Sequence, residues 1–248
     1  GVGCRPPEDL DFIYEGRGPK VLPTFAVIPG LRAMGSSMQR IDINLAALLH
    51  GEQSVVVHRP LPASATVTVY GRIANVWDKG KAAVIVFEGS ATDDAGPLFD
   101  VMASLFVMGG GGWGGERGPS GSPGATAPDR EPDLVVERET RPEQAAIYRL
   151  SGDMNPMHID PDFATMAGFP GPFNHGLCTF GIVGHSVLSA WCGGDVNRFG
   201  SISGRFADQV WPGDTIVTRL WDLGDDAVVE ARTQRGNTVI SSGRATRR

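Results

Sequence analysis

The segment GGGGWGGERGPSGSPGATAPDREP, Gly109 to Pro132, constrains this fold more than any other part of the chain. Glycine, proline and serine crowd it, and no hydrophobic period runs through it. It therefore reads as a linker between two halves, 1–108 and 133–248. No helix follows its glycines, so the context that a phosphate-cradling loop needs is missing. On either side the grammar is similar. In the first half, Thr66–Val76, Ala82–Thr92 and Leu98–Val107 are β-branched or alternating runs, bounded by the turns DKGK and DDAGP. In the second half, Ser201–Val210, Thr215–Leu223, Ala227–Arg235 and Thr238–Thr246 repeat the pattern, punctuated by WPGD, LGDD and RGN. These runs predict two antiparallel sheets.

One long helix precedes the second set of strands, from about His175 to Trp191. Leu177, Phe180, Gly181, Gly184, Leu188 and Trp191 recur at helical spacing and give a wide apolar stripe. The matching stretch in the first half is shorter, near Ile41–Leu49. A sheet curled around one buried helix, occurring twice, is an α+β double hot-dog architecture.

The chemistry concentrates in YRLSGDMNPMHID, Tyr148 to Asp160. Asp153, Asn155, His158 and Asp160 lie close together, with a rigid Asn-Pro step between the first pair and the second. Proline fixes φ near about −65° and keeps the residue before it out of the helical region. A helix starting at Pro142 must break at Ser151-Gly152, and the chain must turn after Asp153. Such a corner can hold a water molecule between an acid and an imidazole. The plainer alternative makes Asp153 a turn cap and His158 a core histidine. The spacing also suggests a calcium loop, but the mid-loop glycine and distal glutamate are absent and imidazole suits calcium poorly. No metal is expected, although a zinc or iron site remains open by ligand type.

A second cluster, PGPFNHGLCTFG, spans Pro170 to Gly181. Asn174 or His175 is placed to cap the long helix, and Gly176 falls in its first turn. The N–H groups there lack intrahelical partners and carry partial positive charge. A glycine would let a thioester carbonyl approach them closely, as an oxyanion site requires. The equal alternative is that Gly176 only relieves helix crowding. Cys178, beside it, reads as small-residue packing because no base is placed to activate it. His185 reads as a packing residue, and His50 and His58 as surface or turn residues.

A hydrophobic fraction of 41% and a charged fraction of 20% are those of an ordinary globular chain. No apolar run approaches the roughly 20 residues of a membrane span, and no signal-peptide pattern opens the chain. A net charge of −6 argues against a nucleic-acid face. Cys4, Cys178 and Cys192 are odd in number and form no CxxC pair, so neither disulfides nor zinc fingers are expected and a cytoplasmic setting fits.

The run YRLSGDMNPMHID followed by FATMAGFPGPFNHGLCTFG resembles the MaoC-like, or R-specific enoyl-CoA hydratase 2, family. IYEGRGPKVLPTFAVIPG, GEQSVVVHRPLP and DKGKAAVIVFE resemble the non-catalytic first half of its two-repeat members, and RFADQVWPGD the strand and turn after the central helix. Two departures are visible. Met157 replaces an aliphatic residue, and Phe173-Asn174 is more polar than the common aliphatic pair. The resemblance implies that Asp153 and His158 form the catalytic dyad, that Asn155 orients it, and that the Gly176 N–H polarises the thioester. It implies syn addition of water to a trans-2-enoyl-CoA, giving a (3R)-3-hydroxyacyl-CoA, with no cofactor. The first half would supply a tunnel for the acyl chain. Arg205, beside Phe206 near a strand end, is the candidate for a CoA phosphate, with a surface arginine as the plain alternative. Phe206 and His175 complete the expected substrate-binding set. A homodimer is expected, since hot-dog sheets commonly pair edge to edge. The competing functions are a 3-hydroxyacyl-[acyl carrier protein] dehydratase, a non-catalytic acyl-CoA-binding protein, and a thioesterase.

Overall fold

The computed structural model describes residues 1–38, 41, 43, 47–119 and 125–248. Four strands come from the first half: β1 (Leu48–Val57), β2 (Thr68–Asp78), β3 (Ala82–Asp93) and β4 (Gly96–Met108). Five come from the second: β5 (Leu134–Glu139), β6 (Phe199–Phe206), β7 (Thr215–Asp222), β8 (Asp226–Thr233) and β9 (Thr238–Arg247). They form one antiparallel sheet in the order β2-β3-β4-β1-β6-β9-β8-β7-β5. Each half supplies an antiparallel run as expected, and the two runs join edge to edge into one sheet. β1 pairs with β4 on one side and with β6 on the other, setting Glu52 opposite Arg205 and Val55 opposite Ile202.

Alternation along the strands turns one face inward, as in β1, where Gly51, Gln53, Val55 and Val57 are buried and Val56 is exposed. The helices are α1 (Leu10–Ile13), α2 (Val27–Met38), α3 (Gln144–Tyr148), α4 (Pro161–Met166) and α5 (Gly176–Ala190). Every residue of α5 from Leu177 to Leu188 is buried. The sheet of the second half wraps it, with Phe180, Ile182, Leu188, Ile202, Ile216 and Leu220 in one hydrophobic core. A smaller core lies against α2, around Met34, Ile85, Phe87 and Leu105.

The first-half helix is Val27–Met38 and not Ile41–Leu49. Residues 42 and 44–46 of that expected helix lie outside the described residues, and Leu48 and Leu49 open β1, paired with Val107 and Phe106. A short apolar run fits strand or helix equally, and tertiary pairing decides. Pro29 and Gly30 disguise the true helix, yet a proline within a first turn loses no intrahelical bond.

The Gly-rich segment is tied down where it leaves β4. Asp78 accepts hydrogen bonds from the N–H groups of Gly80, Gly112 and Gly114, each at 2.8 Å. Lys79 Nζ donates to the Pro119 carbonyl at 2.6 Å.

Candidate active site

The Tyr148–Asp160 run folds as its proline demands. Helix α3 tightens into a 3-10 turn over Arg149–Ser151, and Gly152, at φ 124°, lets the chain reverse. Asp153 Oδ1 then accepts the Asn155 N–H at 3.2 Å. Asn155 caps a second 3-10 turn, Pro156–His158, by accepting the Met157 N–H at 3.0 Å. Met157 is buried and anchors this turn. Asp160 caps α4, accepting from the N–H groups of Asp162 and Phe163. The second carboxylate of the motif is thereby committed to structure.

These turns aim His158 into a cleft of about 570 Å³ lined by both halves of the chain. His158 Nδ1–H donates to the Phe173 carbonyl at 2.8 Å. A carbonyl only accepts, so the proton sits on Nδ1 and Nε2 is left as an acceptor. Burial lowers the pKa of His158, favouring the neutral ring. Asp153, Asn155, Gly176, Arg205 and Phe206 line the same cleft. A donor atom from each of Asp153, His158 and His175 lies within 4.8 Å of the others. That separation admits one water hydrogen-bonded to both Asp153 and His158.

His175 is placed differently from its expected substrate-binding role. It is 1% exposed, and its ring centroid lies 3.9 Å from that of His158, the planes tilted by 34°. Its Nε2–H donates to the main-chain carbonyl of Asp153 at 3.1 Å. Burial, and then the neighbouring His158, push it down to about 4. His175 occupies the N-cap position of α5 but makes no side-chain cap bond. Its ring instead ties the Asp153 loop to the helix start, which is a positioning role.

Gly176 opens α5, where N–H groups find no intrahelical partner. A Cβ there would meet the Phe206 ring at 3.3 Å, and Gly176 lines the cleft. Arg205 is exposed near the end of β6, and Phe206 is half-buried against the cleft. Cys178 is buried, with its thiol pushed up to about 12 by burial, as packing rather than nucleophilic chemistry requires.

Sequence reasoning missed His50. It sits at an irregularity in β1, where the pairing register shifts between His50 and Glu52. Its Nε2–H donates to the Glu52 carbonyl at 3.1 Å, and its ring meets Phe206 edge-on at 4.8 Å. It lines the cleft from the first half, held neutral by burial, which lowers it to about 4. The apolar far end of the cleft is formed by Leu31, Met34, Met38, Leu105 and Phe106.

Among the described residues, two groups bring metal-ligating side chains together: Asp153 with His158 and His175, and Cys4 with Asp9 and His185. In the second group His185 Nε2 donates to Asp9 at 2.9 Å, and Cys4 Sγ lies 3.9 Å from His185 Nδ1. Burial pushes the Cys4 thiol up to about 11, away from the thiolate that a metal prefers. The first group has the donor number and types of a catalytic zinc site.

A model of the MaoC like domain matches residues 124–243, and one of the MFE-2 hydratase 2 N-terminal domain matches residues 1–109. The chain is 39% identical over 98% of its length to enoyl-CoA hydratase ChsH3 of Mycobacterium tuberculosis, covering 87% of that protein. It is 41% identical, again over 98% of its length, to the peroxisomal multifunctional enzyme type 2 of Mus musculus, but spans only 34% of it. A crystal structure of a MaoC-like dehydratase from Phytophthora capsici superposes with a TM-score of 0.88 at 34% identity, over 97% of this chain and 87% of that one. Fold and cleft together define a double hot-dog hydro-lyase. The chain belongs to the MaoC-like, enoyl-CoA hydratase 2 family.

Proposed function

We propose that this protein is an (R)-specific enoyl-CoA hydratase that adds water reversibly, with syn geometry, to trans-2-enoyl-CoA. The carrying observation is the spacing of Asp153 and neutral His158 at the wall of a two-sided cleft beside the start of α5. Asp153 and the free Nε2 of His158 grip one water. As its oxygen bonds to C3, one of the pair takes its proton, and a proton is returned to C2 on the same face. Their titrations belong to the pair, so base and acid are not apportioned between them. Asn155 holds the turn that spaces them. The Gly176 N–H, at the positive end of α5, accepts the charge developing on the thioester oxygen. The acyl chain runs toward Met34 and Leu105 in the first half, and Arg205 meets a CoA phosphate at the mouth. In this reading residues 1–108 form a non-catalytic half, 109–132 a connector and 133–248 the catalytic half.

Chiral analysis of the product from a short trans-2-enoyl-CoA tests the reading. It expects the (3R)-hydroxyacyl-CoA, whereas a (3S) product or release of free CoA contradicts it. The reverse reaction on a carrier-protein thioester is the alternative; 44% identity to 3-hydroxyacyl-thioester dehydratase Y of Mycobacterium tuberculosis supports the dehydration direction and leaves the carrier to the test. Faster turnover on the carrier-linked substrate would favour that alternative.

Two finer expectations belong to the same reading. We place the enzyme in the cytoplasm on its three free cysteines; a fluorescent fusion gathering in peroxisomes would overturn this. We also expect a homodimer, which light scattering would read as twice 26.3 kDa.

A further inference from the structure

Asn174 is out of keeping with its surroundings. It is 2% exposed, and among the described residues neither Nδ2 nor Oδ1 has a hydrogen-bond partner. Its main chain is fixed, since its N–H donates to the Val210 carbonyl at 2.8 Å. It lines the cleft with the apolar Leu177, Val210 and Val239 and with the polar Asp153, Asn155 and His158, none of which hydrogen-bonds its amide. A buried amide without partners has lost its hydrogen bonds to water and gained none in return, which destabilises the fold. A leucine, with the same branched four-atom side chain, carries no such polar groups. A ligand group able to donate to Oδ1 or accept from Nδ2 would remove that cost.

The chain locates where that ligand group must lie. Asn174 follows Phe173, whose carbonyl fixes His158. It precedes His175, whose ring holds the Asp153 loop, and Gly176 at the start of α5. It therefore stands at the reacting end of the cleft, away from the apolar end formed by Leu31, Met34 and Leu105.

We propose that Asn174 is a specificity-determining residue, selecting 2-enoyl thioesters that carry a hydroxyl or other oxygen function close to the reacting double bond. The inference rests on the hydratase reading and names the substrate class for that same cleft. The hydroxyl donates to Oδ1 or accepts from Nδ2. Substrates without it leave the amide unpaired, which is how a polar site rejects an analogue one hydroxyl short.

The test compares trans-2-hexenoyl-CoA with its 4-hydroxy counterpart on the wild type and on Asn174→Leu. The wild type is expected to favour the hydroxylated substrate by about tenfold or more in kcat/KM, the worth of one good hydrogen bond. Asn174→Leu should bring the ratio close to one while its Tm stays level or rises, because the unpaired groups are gone. An equal ratio in both proteins overturns the proposal. So does an equal rise of KM for both substrates, which places the amide on the CoA arm, and so does a clear fall in Tm, which reveals a partner within the protein. A wild type that hydrates neither substrate defeats the hydratase reading itself. Should Asn174→Leu not fold, the wild type alone decides. Saturated hexanoyl-CoA with a 4-hydroxyl must raise its Tm more than plain hexanoyl-CoA at equal concentration, and equal shifts overturn the assignment.

Discussion

His158 owes its usefulness to two contacts that are not themselves chemistry. The Phe173 carbonyl accepts a hydrogen bond from its Nδ1–H, and the His175 ring lies 3.9 Å from it. The first fixes the tautomer, the second packs the ring, and burial opposes a second proton. His158→Gln should therefore lose about 10²–10⁴-fold in kcat, the usual worth of a general acid or base, with little change in Tm. Steady-state kinetics with a melting curve check this. The same burial couples stability to pH. His175 titrates near 6.5 when unfolded and is held at about 4 in the fold, so between these values the unfolded chain binds the extra proton. Its contribution is complete above about pH 6.5 and is lost as pH falls toward 4. Tm measured across that range should decline, and His175→Gln should flatten the decline. Much of this was legible in the sequence, because Pro156 forces the turn that brings Asp153 and His158 together. Asp160 was open to misreading, since the same residue type serves as a helix cap or as a ligand. His50 was not legible. Nothing near it in sequence is catalytic, and it reaches the cleft through the pairing of β1 with β6.

At the scale of elements, α5 is buried almost all round, which an amphipathic stripe does not require. Its glycines explain how the first half comes so near. A Cβ on Gly181 would overlap Val2, and one on Gly184 would overlap Thr24. Both sides of the helix are thus covered, one by sheet and the other by the N-terminal segment. Gly184→Val should destabilise the fold by about 1–3 kcal/mol through overpacking, read by denaturant unfolding; an unchanged midpoint would mean that the segment moves aside freely. Strand positions were legible where alternation is strong, as in β3, β4, β7, β8 and β9. Helix α2 was hidden because Pro29, Gly30 and Gly35 resemble breakers, and its tertiary packing, with Met34 beside Phe87 and Leu105 and Val27 in the main core, stabilises it. Strand β5 is short and lies at the sheet edge, where a six-residue alternation is easily lost beside a Pro-rich approach.

Across the whole molecule, the decisive contact is the β1–β6 seam, which makes one sheet of two halves and one cleft of two surfaces. That seam already supplies edge-to-edge pairing within one chain, so a homodimer must use another surface. The Gly-rich connector is held to the first half by Asp78, whose carboxylate lies well below its usual range, at about 2, because glycine N–H groups bond to it. Asp78→Ala should free residues 109–119 and speed proteolytic cutting there, detected by mass spectrometry of timed digests; an unchanged cutting pattern would show that the tie is incidental. The central claim, that Asp153 and His158 hold the water that is added, is tested most directly by the hydration rate of Asp153→Asn on a trans-2-enoyl-CoA that the wild type turns over. The account predicts a folded variant slower by about 10²–10⁴-fold in kcat, and a variant as fast as the wild type would contradict it.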